Sequence, residues 1–342
     1  MARRVTIADI AQQAQVSTSA VSYALNQLPG VSEPTRRRIL AIADTMGWRP
    51  DSSARALQSS RTNAVGLVLL HTQQPQTTTP DFLMTFLPGL QTRLAEDDVL
   101  LVLHLVPDAR AAAEVYREWQ GSRRVDGVIV LNPTVSDPRL TRLAELRLPA
   151  GVVGATRRIS PIPCVWTDDT HAVKLIIDHL TALGHTRIGR VGVRANYLHT
   201  RTRDRAFVRE MRRAGLPVEF NGVTSPTVSE ERLLTPWLEA AEPPTALIHE
   251  DPLSTVNTLE LLGRSGVRVP TDISIVGWDD SPWSSIVSPA LTVLRRDLFE
   301  YGRLVATQLL AAVDGRPVGH RQGSTAELLV RESTAPPRAA GA

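Results

Sequence analysis

The sequence predicts an α/β protein: a two-lobed body of parallel sheets flanked by helices, preceded by a small all-α N-terminal domain. Three observations carry this expectation. The first fifty residues hold three short amphipathic helical patterns and no strand pattern. From Val65 onward, short β-rich runs alternate with helical stretches, as parallel strands joined through helices require. Roughly a hundred or more residues of this alternation lie on either side of about residue 160, enough for two sheets. The expected domains are 1–50 (all-α), 51–63 (a linker with a short helix), 64–334 (the two-lobed body) and 335–342 (a disordered tail).

Composition narrows the function classes. A hydrophobic fraction of 42% and a mean hydropathy of −0.08 across 342 residues describe a globular protein. No stretch approaches the ~18 uninterrupted apolar residues of a membrane helix. Met1-Ala2-Arg3-Arg4-Val5 runs into a polar helical pattern without the apolar segment of a secretion signal, so a cytoplasmic protein with no membrane partner is expected. The one cysteine, Cys164, lies in the apolar run Pro163-Cys164-Val165-Trp166 and is expected to be a buried, inert thiol. The net charge of +3 is unevenly spread: residues 1–62 carry eight arginines against four acids, while the remainder sums to −1. Positive charge gathered in the small domain suits phosphate attraction.

Thr6 and Asp9 form a capping-box-like start to a first helix, with Ile7, Ile10, Ala11 and Ala14 on one face. After a tight turn Ser17 is a suitable N-cap for a second helix, and Val21 and Leu25 give it an apolar stripe. Leu28-Pro29-Gly30 is a loop. Ser32-Glu33-Pro34 opens a third helix with Ile39, Ile42, Ala43 and Met46 inward and Gly47 as its stop. Three such stripes close one small core and leave Thr18, Ser19, Ser22 and Tyr23 on the outer face of the second helix. That is the layout of a helix-turn-helix, whose second helix presents its N-terminal residues to base edges in the major groove. Short hydroxyls at Thr18 and Ser19 can hydrogen-bond bases or meet a thymine methyl, and Tyr23 can reach a base or phosphate. A plain polar surface helix is the bland alternative; charge and context weigh against it.

Ser53–Gln58 has room for about one and a half helical turns, too short to persist alone, so the segment folds only when held. A lone Leu57 in this polar, arginine-flanked linker suits a wedge pressed into a minor-groove step.

At these residues a family resemblance is plain. Val5-Thr6-Ile7-Ala8-Asp9-Ile10-Ala11, Val16-Ser17, Ala20-Val21-Ser22, Leu25-Asn26, Val31-Ser32, Thr35-Arg36 and Gly47-Trp48-Arg49-Pro50 resemble the head of the LacI/GalR family of bacterial transcriptional regulators. Ala54, Arg55, Leu57 and Val65-Gly66-Leu67 are similar to that family's hinge and body start. The resemblance implies that Thr18, Ser19 and Tyr23 read bases and that Leu57 is the intercalating hinge leucine. It adds Thr6, Ser17, Ser22, Asn26, Ser32, Arg36, Ala54 and Arg55 to the expected DNA contacts. Gln15 stands where the family usually has Gly in the turn, so a residue at positive φ is expected there, at a small cost.

In the body, strands are expected at Val65–Leu70, Val99–Val106, Val125–Leu131, Ala150–Val153, Ile188–Val193, Ala246–His249, Ile273–Gly277 and Leu291–Leu294. Helices between them include His171–Leu183, Arg203–Ala214, Leu253–Arg264 and Leu298–Val313. Ligands in open α/β sheets sit beyond the carboxyl ends of strands, so two facing lobes make a cleft. Polar and aromatic residues collect at such ends: His71, Phe82 on the following helix, Trp166, Asp168, Arg203 at a helix start, Asp251, Trp278 and Asp279. Carboxylates and arginine can clamp hydroxyls while rings stack on C–H faces, the chemistry of a polyol site. Singly each signal is weak: an Asp after a strand is more often a helix N-cap, and Trp166 could be lobe core.

Val165-Trp166-Thr167-Asp168-Asp169, Arg203-Asp204-Arg205-Ala206-Phe207, Gly266–Asp280 and Pro289-Ala290-Leu291-Thr292 resemble the family's effector-binding body. The resemblance implies a periplasmic-binding-protein-like fold and effector contacts at Phe82, Trp166, Arg203, Asp251 and Asp279. Three positions depart from the family: Asp169 where Asn is frequent, Ala206 for Gly, and Glu250-Asp251 for Asn-Asp. The extra carboxylates would allow a more polar or cationic ligand than the usual sugar. Arg331 to Ala342 shows no heptad pattern and reads as a disordered tail.

The expected function is a sequence-specific DNA-binding regulator, a repressor, binding a pseudo-palindromic double-stranded operator as a homodimer and controlled by a small molecule, a sugar or related polyol. A regulator of a non-sugar ligand is the alternative, and a transporter's solute-binding protein a weaker one, since the head does not suit it. Enzyme classes lack support. Lys174, the only lysine, follows Ala172-Val173, which excludes a P-loop. The glycines of Gly184–Gly192 bracket a strand rather than follow one. His104, His171, His179, His185, His199 and His249 show no metal-ligand spacing, and no Ser/His/Asp arrangement stands out. No catalytic residue, cofactor or metal is expected.

Overall fold

A computed structural model describes residues 5–48, 61–70, 80–154, 162–193, 196–225 and 227–338. Ala54, Arg55, Leu57 and the whole Ser53–Gln58 segment lie outside the described residues, as does His71. The chain divides into two units, residues 1–62 and 63–342.

The small unit contains α1 (Ile7–Ala14), α2 (Thr18–Leu25) and α3 (Glu33–Thr45). Thr6 caps α1 reciprocally: its hydroxyl accepts from Asp9 N–H while its own N–H donates to the Asp9 carboxylate at 2.8 Å. Gln15 does take the left-handed conformation, at φ 52°. Ile10, Ala11, Ala14, Val21, Ala24, Ile39 and Ala43 form the core. Two expectations change here. Ile7 is exposed, because the stripe that reaches α2 and α3 starts one turn later, at Ile10. Ser32 occupies the N-cap position of α3, yet its hydroxyl pairs with Thr35 Oγ1 at 2.9 Å and caps no backbone N–H.

In the large unit the first five strands are β1 (Ala64–Leu70), β2 (Leu100–Val106), β3 (Gly127–Leu131), β4 (Ala150–Val153) and β5 (Cys164–Trp166). They alternate with α4 (Pro80–Ala95), α5 (Ala109–Gly121) and α6 (Pro138–Leu146). The next five are β6 (Ile188–Val193), β7 (Asn221–Thr224), β8 (Ala246–His249), β9 (Ser274–Gly277) and β10 (Thr292–Arg295). With them run α7 (Asp169–Ala182), α8 (Leu198–Arg213), α9 (Glu230–Leu238), α10 (Pro252–Arg264) and α11 (Pro282–Ile286). The chain then forms α12 (Leu298–Val313), β11 (Arg321–Gln322) and β12 (Glu327–Leu329).

The two sheets repeat one topology. Their orders are β11-β5-β4-β3-β1-β2 and β12-β10-β9-β8-β6-β7, parallel throughout except that β12 runs antiparallel to β10. The chain therefore passes between lobes three times: at Thr167-Asp168, at Arg296-Asp297 and between β11 and β12. Strands covered on both faces are apolar at nearly every position, as in β3, Gly-Val-Ile-Val-Leu, all buried. Tyr116, Trp119, Val128 and Leu140 pack one face of the first sheet; Phe86, Leu90, Ile129, Val305 and Leu309 pack the other. Helices α4 and α12 approach so closely at Gly89 and Gly302 that a Cβ on Gly302 would stand 2.2 Å from Phe86 O. The second sheet is covered by Ile176, Ile177 and Phe207 on one face and by Leu234, Leu262 and Ile275 on the other.

The expected tail is a further correction. Residues 331–338 are ordered against the second lobe: Ser333 is fully buried, donates to Ile275 O at 2.6 Å and accepts from Thr292 N–H at 2.8 Å. Ala335 N–H donates to Ser274 Oγ, and its carbonyl pairs with His185 Nε2 at 2.9 Å. Without a side-chain period, this backbone-mediated docking leaves no pattern to read. Residues 339–342 lie outside the described residues.

Candidate functional site

In the small unit, Thr18, Ser19 and Tyr23 are solvent-exposed on α2 and Ser22 is half-exposed, so the expected outer face is present. The hydroxyl of Ser17 is occupied as the α2 cap, accepting from Ala20 N–H at 3.1 Å. Asn26 Nδ2 donates back to Ser22 O at 3.0 Å, which firms the end of α2. Arg36 differs from expectation. Its guanidinium donates to Tyr23 O and Ala24 O, both at 3.2 Å, and to Leu28 O at 2.7 Å. A cation on the C-terminal carbonyls of α2 satisfies groups the helix leaves open. Arg36 thus braces the C-terminal end of α2.

In the large unit, loops at the carboxyl ends of the strands enclose a cleft between the lobes. The first lobe contributes Phe82 from α4, Asn132 after β3, Gly154 after β4 and Tyr301 from α12. The second contributes Asp169, Tyr197, His199, Arg203, Glu250, Asp251 and Asp279; Thr167 and Arg296 come from two of the inter-lobe passages. Asn132 and Asp279 adopt positive φ, 48° and 61°. Such conformations are uncommon outside glycine and concentrate at working sites.

Two features hold the lobes together around it. Thr134 and Tyr197 form an isolated antiparallel bridge across the lobes, with Val135 N–H on Asn196 O and Leu198 N–H on Pro133 O, each at 3.0 Å. The loop on the first-lobe side is set by Arg139, which is buried and bonded to Asp137, Leu131 O and Asn132 O. Burial opposes the charge of Asp137, but Arg139 outweighs it and holds the carboxyl below its ordinary range. The passages are also tied to one another: Gly323 N–H donates to Trp166 O at 2.8 Å, and Asp297 N–H to Ser324 Oγ at 3.1 Å.

A run of charges crosses the cleft floor. Arg190, buried in β6, donates through Nε to Glu250 Oε1 at 2.7 Å. Arg203 lies 3.9 Å over the Trp278 ring, with Asp169 at 3.5 Å and Glu250 at 3.7 Å. Arg296 grips both oxygens of Asp279 at 2.7 and 2.6 Å. Burial pushes the Glu250 carboxyl up, against the pull of Arg190 and Arg203. Burial raises Asp251 too, offset in part by backbone N–H donors. His199 is driven well below the ordinary imidazole value by burial and by Arg203, Arg296 and Arg190, so it is neutral.

Of the expected cleft residues, Phe82, Arg203, Asp251 and Asp279 line the cavity. Three do not. Trp278 is buried in the second-lobe core beneath Arg203, so its ring supports the arginine and cannot stack on a ligand. Trp166 packs against the first-lobe core. Asp168 turns away to cap α7, accepting from His171 N–H at 2.9 Å, and its neighbour Asp169 faces the cleft instead. Arg203 itself is not at a helix start but inside α8, which begins at Leu198. Sequence reasoning missed Asn132, Tyr197, His199, Arg296 and Tyr301. Arg296 had one available signal, its place directly after a strand in Leu294-Arg295-Arg296-Asp297.

Comparison with known proteins reports the same architecture. Residues 6–51 match the model of bacterial regulatory proteins of the lacI family, and residues 177–334 match a periplasmic binding protein-like domain. The HTH-type transcriptional regulator MalR of Streptomyces coelicolor is 31% identical over 352 residues, covering 96% of each chain. The chain belongs to the LacI family. As a member it is a DNA-binding transcriptional regulator. Among solved structures, the lac repressor dimer bound to operator and an anti-inducer superposes with a TM-score of 0.84 at 22% identity, covering 97% of this chain and all of that one. A transcriptional regulator CelR–cellobiose complex gives 0.72 at 23% identity, covering 96% and 100%. At those identities the likeness bears on the LacI-family fold alone.

Proposed function

We propose that the protein is a repressor: a homodimer that places two heads on a pseudo-palindromic operator and is controlled by a small polyhydroxylated effector, a sugar or related polyol, in the inter-lobe cleft. The observation that carries this reading is the cleft itself. It joins carboxylates, arginines and aromatic rings at the carboxyl ends of two parallel sheets, and the same chain carries a basic reading head. Carboxylates and guanidinium groups suit ligand hydroxyls, and Phe82 and Tyr197 suit ring faces. A ligand bridging the lobes favours one arrangement of the three passages. By linkage it alters DNA affinity by the factor that DNA alters ligand affinity.

The dimer is supported by exposed apolar side chains on both lobes: Met84, Leu100, Leu103 and Leu105 along α4 and edge strand β2, and Leu253, Trp283 and Ile286 near α10 and α11. The lac repressor is itself a dimer on operator in its solved complex. In the hinge, the reading assigns Ala54, Arg55 and Leu57 to the minor groove at the operator centre.

The test uses the full-length protein on genomic fragments that it retains from sheared DNA, read by fluorescence anisotropy during titration with single mono- and disaccharides. A sugar that changes DNA affinity supports the reading. DNA affinity unmoved by every sugar, together with no binding of any sugar by calorimetry, rejects a carbohydrate effector.

A further inference from the structure

The charges around the cleft do not balance. Four carboxylates line it, Asp169, Glu250, Asp251 and Asp279, against two guanidinium groups, Arg203 and Arg296. Arg296 answers Asp279, Arg203 stands beside Asp169, and Arg190 answers Glu250 from beneath. Asp251 is left over. It is almost fully buried, Ser254 N–H donates to its Oδ1 at 2.9 Å, and no arginine, lysine or histidine pairs with it among the described residues. Glu250, which lines the same cavity, adds a second, independent sign: its Oε2 is buried and accepts no hydrogen bond, its nearest cation being Arg203 Nη1 at 3.7 Å. A buried carboxylate oxygen without a donor carries its full desolvation cost unless something arrives to donate to it.

We propose that the effector carries a protonated amine beside its hydroxyls, received by Glu250 Oε2 and Asp251. This rests on the reading that the cleft holds the effector, and it names that effector's class as an amino sugar or amino polyol. An ammonium brings three donors and the missing positive charge in one group, whereas a neutral hydroxyl brings one donor and no charge. The Nε of Arg203 is also buried and makes no hydrogen bond, its nearest acceptor being Asp169 Oδ1 at 3.5 Å. It calls for an oxygen acceptor on the ligand, which a hydroxyl next to the amine supplies. Burial already raises the Glu250 and Asp251 carboxyls, and a bound cation would favour their ionised forms.

The experiment is isothermal titration calorimetry on the full-length protein with matched probes: glucose, galactose and mannose, their 2-amino-2-deoxy counterparts, and the N-acetylated forms, which keep the nitrogen but lose its charge. The expected result is that at least one amino sugar binds about tenfold or more tightly than both its neutral parent and its N-acetyl form. Glu250→Gln and Asp251→Asn should each remove that preference. Asp251→Asn serves as a second variant that can still cap α10, should loss of the Arg190 partner unfold Glu250→Gln. Parent sugars that bind as tightly as the amino forms overturn the proposal and leave the cleft reading intact. Binding that Glu250→Gln, Asp251→Asn and Arg203→Ala all leave unchanged overturns the cleft reading as well. No heat from any probe overturns the amino-sugar assignment.

Discussion

Arg296 closes on Asp279 with two hydrogen bonds, 2.7 and 2.6 Å, and extends a third to Thr167 Oγ1 at 3.2 Å. One side chain thereby joins two of the inter-lobe passages to the loop after β9. Asp279 in turn sits at positive φ, a conformation held only because its surroundings over-determine it. The pair thus ties both passages to the second lobe at the edge of the cleft.

On the proposed function, removing it should separate DNA binding from the effector response. Asp279→Ala is expected to abolish the response of DNA affinity to any sugar that moves the wild type, while affinity for DNA in the absence of sugar stays within about threefold. Leaving Arg296 buried and unpaired should also cost about 3–5 kcal/mol of stability, visible as a lower Tm. Anisotropy with and without sugar, beside a thermal melt, checks both. A normal sugar response in the variant would move the pocket elsewhere.

Arg36 offers a sharper distinction in the head. Three carbonyl bonds to the end of α2 and the following loop make it a brace, so Arg36→Ala should lower head stability by roughly 1.5–3 kcal/mol. The salt dependence of DNA binding should hardly change. A phosphate contact would behave differently, reducing the slope of log K against log salt by about one. Denaturation of the head and binding at several salt concentrations separate the two roles.

The reading face is tested at Thr18 and Ser19. Exchanging the two residues should change which half-site is preferred, with each mismatch costing on the order of 1–3 kcal/mol. A uniform loss of affinity across sequences would mean that both only position the backbone.

Helix packing in the first lobe sets a fourth test. Gly302→Ala drives a methyl into Phe86 O, backbone that cannot step aside, and should cost at least about 1–3 kcal/mol. Gly263→Ala, with open space at its Cβ, is the control and should be near neutral or slightly stabilising.

His249 gives a pH dependence with a defined sign. Burial lowers its pKa from the ordinary 6.5 to about 3, so the native state keeps it neutral while the unfolded chain binds a proton near pH 6.5. Between those values the unfolded state holds more protons, so stability falls as pH falls, by up to about 1.4 kcal/mol per pH unit from this group. Replacing the imidazole with an apolar side chain, His249→Leu, should flatten the acid limb of Tm against pH. An unaltered limb would assign it to the other buried groups.

Much of this was legible in the sequence where burial on both faces writes continuous apolar runs. β4, β6 and β8 match their expected bounds residue for residue, and α12 does too. Short edge elements were not legible. β7, Asn221-Gly222-Val223-Thr224, is half-exposed and polar, and β11 is two exposed residues, so neither carries an alternating or apolar signal. The cleft was half legible for a related reason. A carboxylate after a strand can cap the next helix or line the cleft: Asp168 does the first, Asp169 the second, and Asp251 both. Only backbone direction decides between them, and composition does not encode it. Trp278 was misplaced because a large ring at a strand end reads equally as stacking platform or as core.

The most direct test of a sequence-specific dimeric regulator is selection from random duplex DNA by the purified full-length protein. A dimeric reader should enrich a pseudo-palindrome, its two half-sites contacted by separate heads. Recovery of no common sequence, with only non-specific binding that weakens steeply as salt is raised, would contradict it.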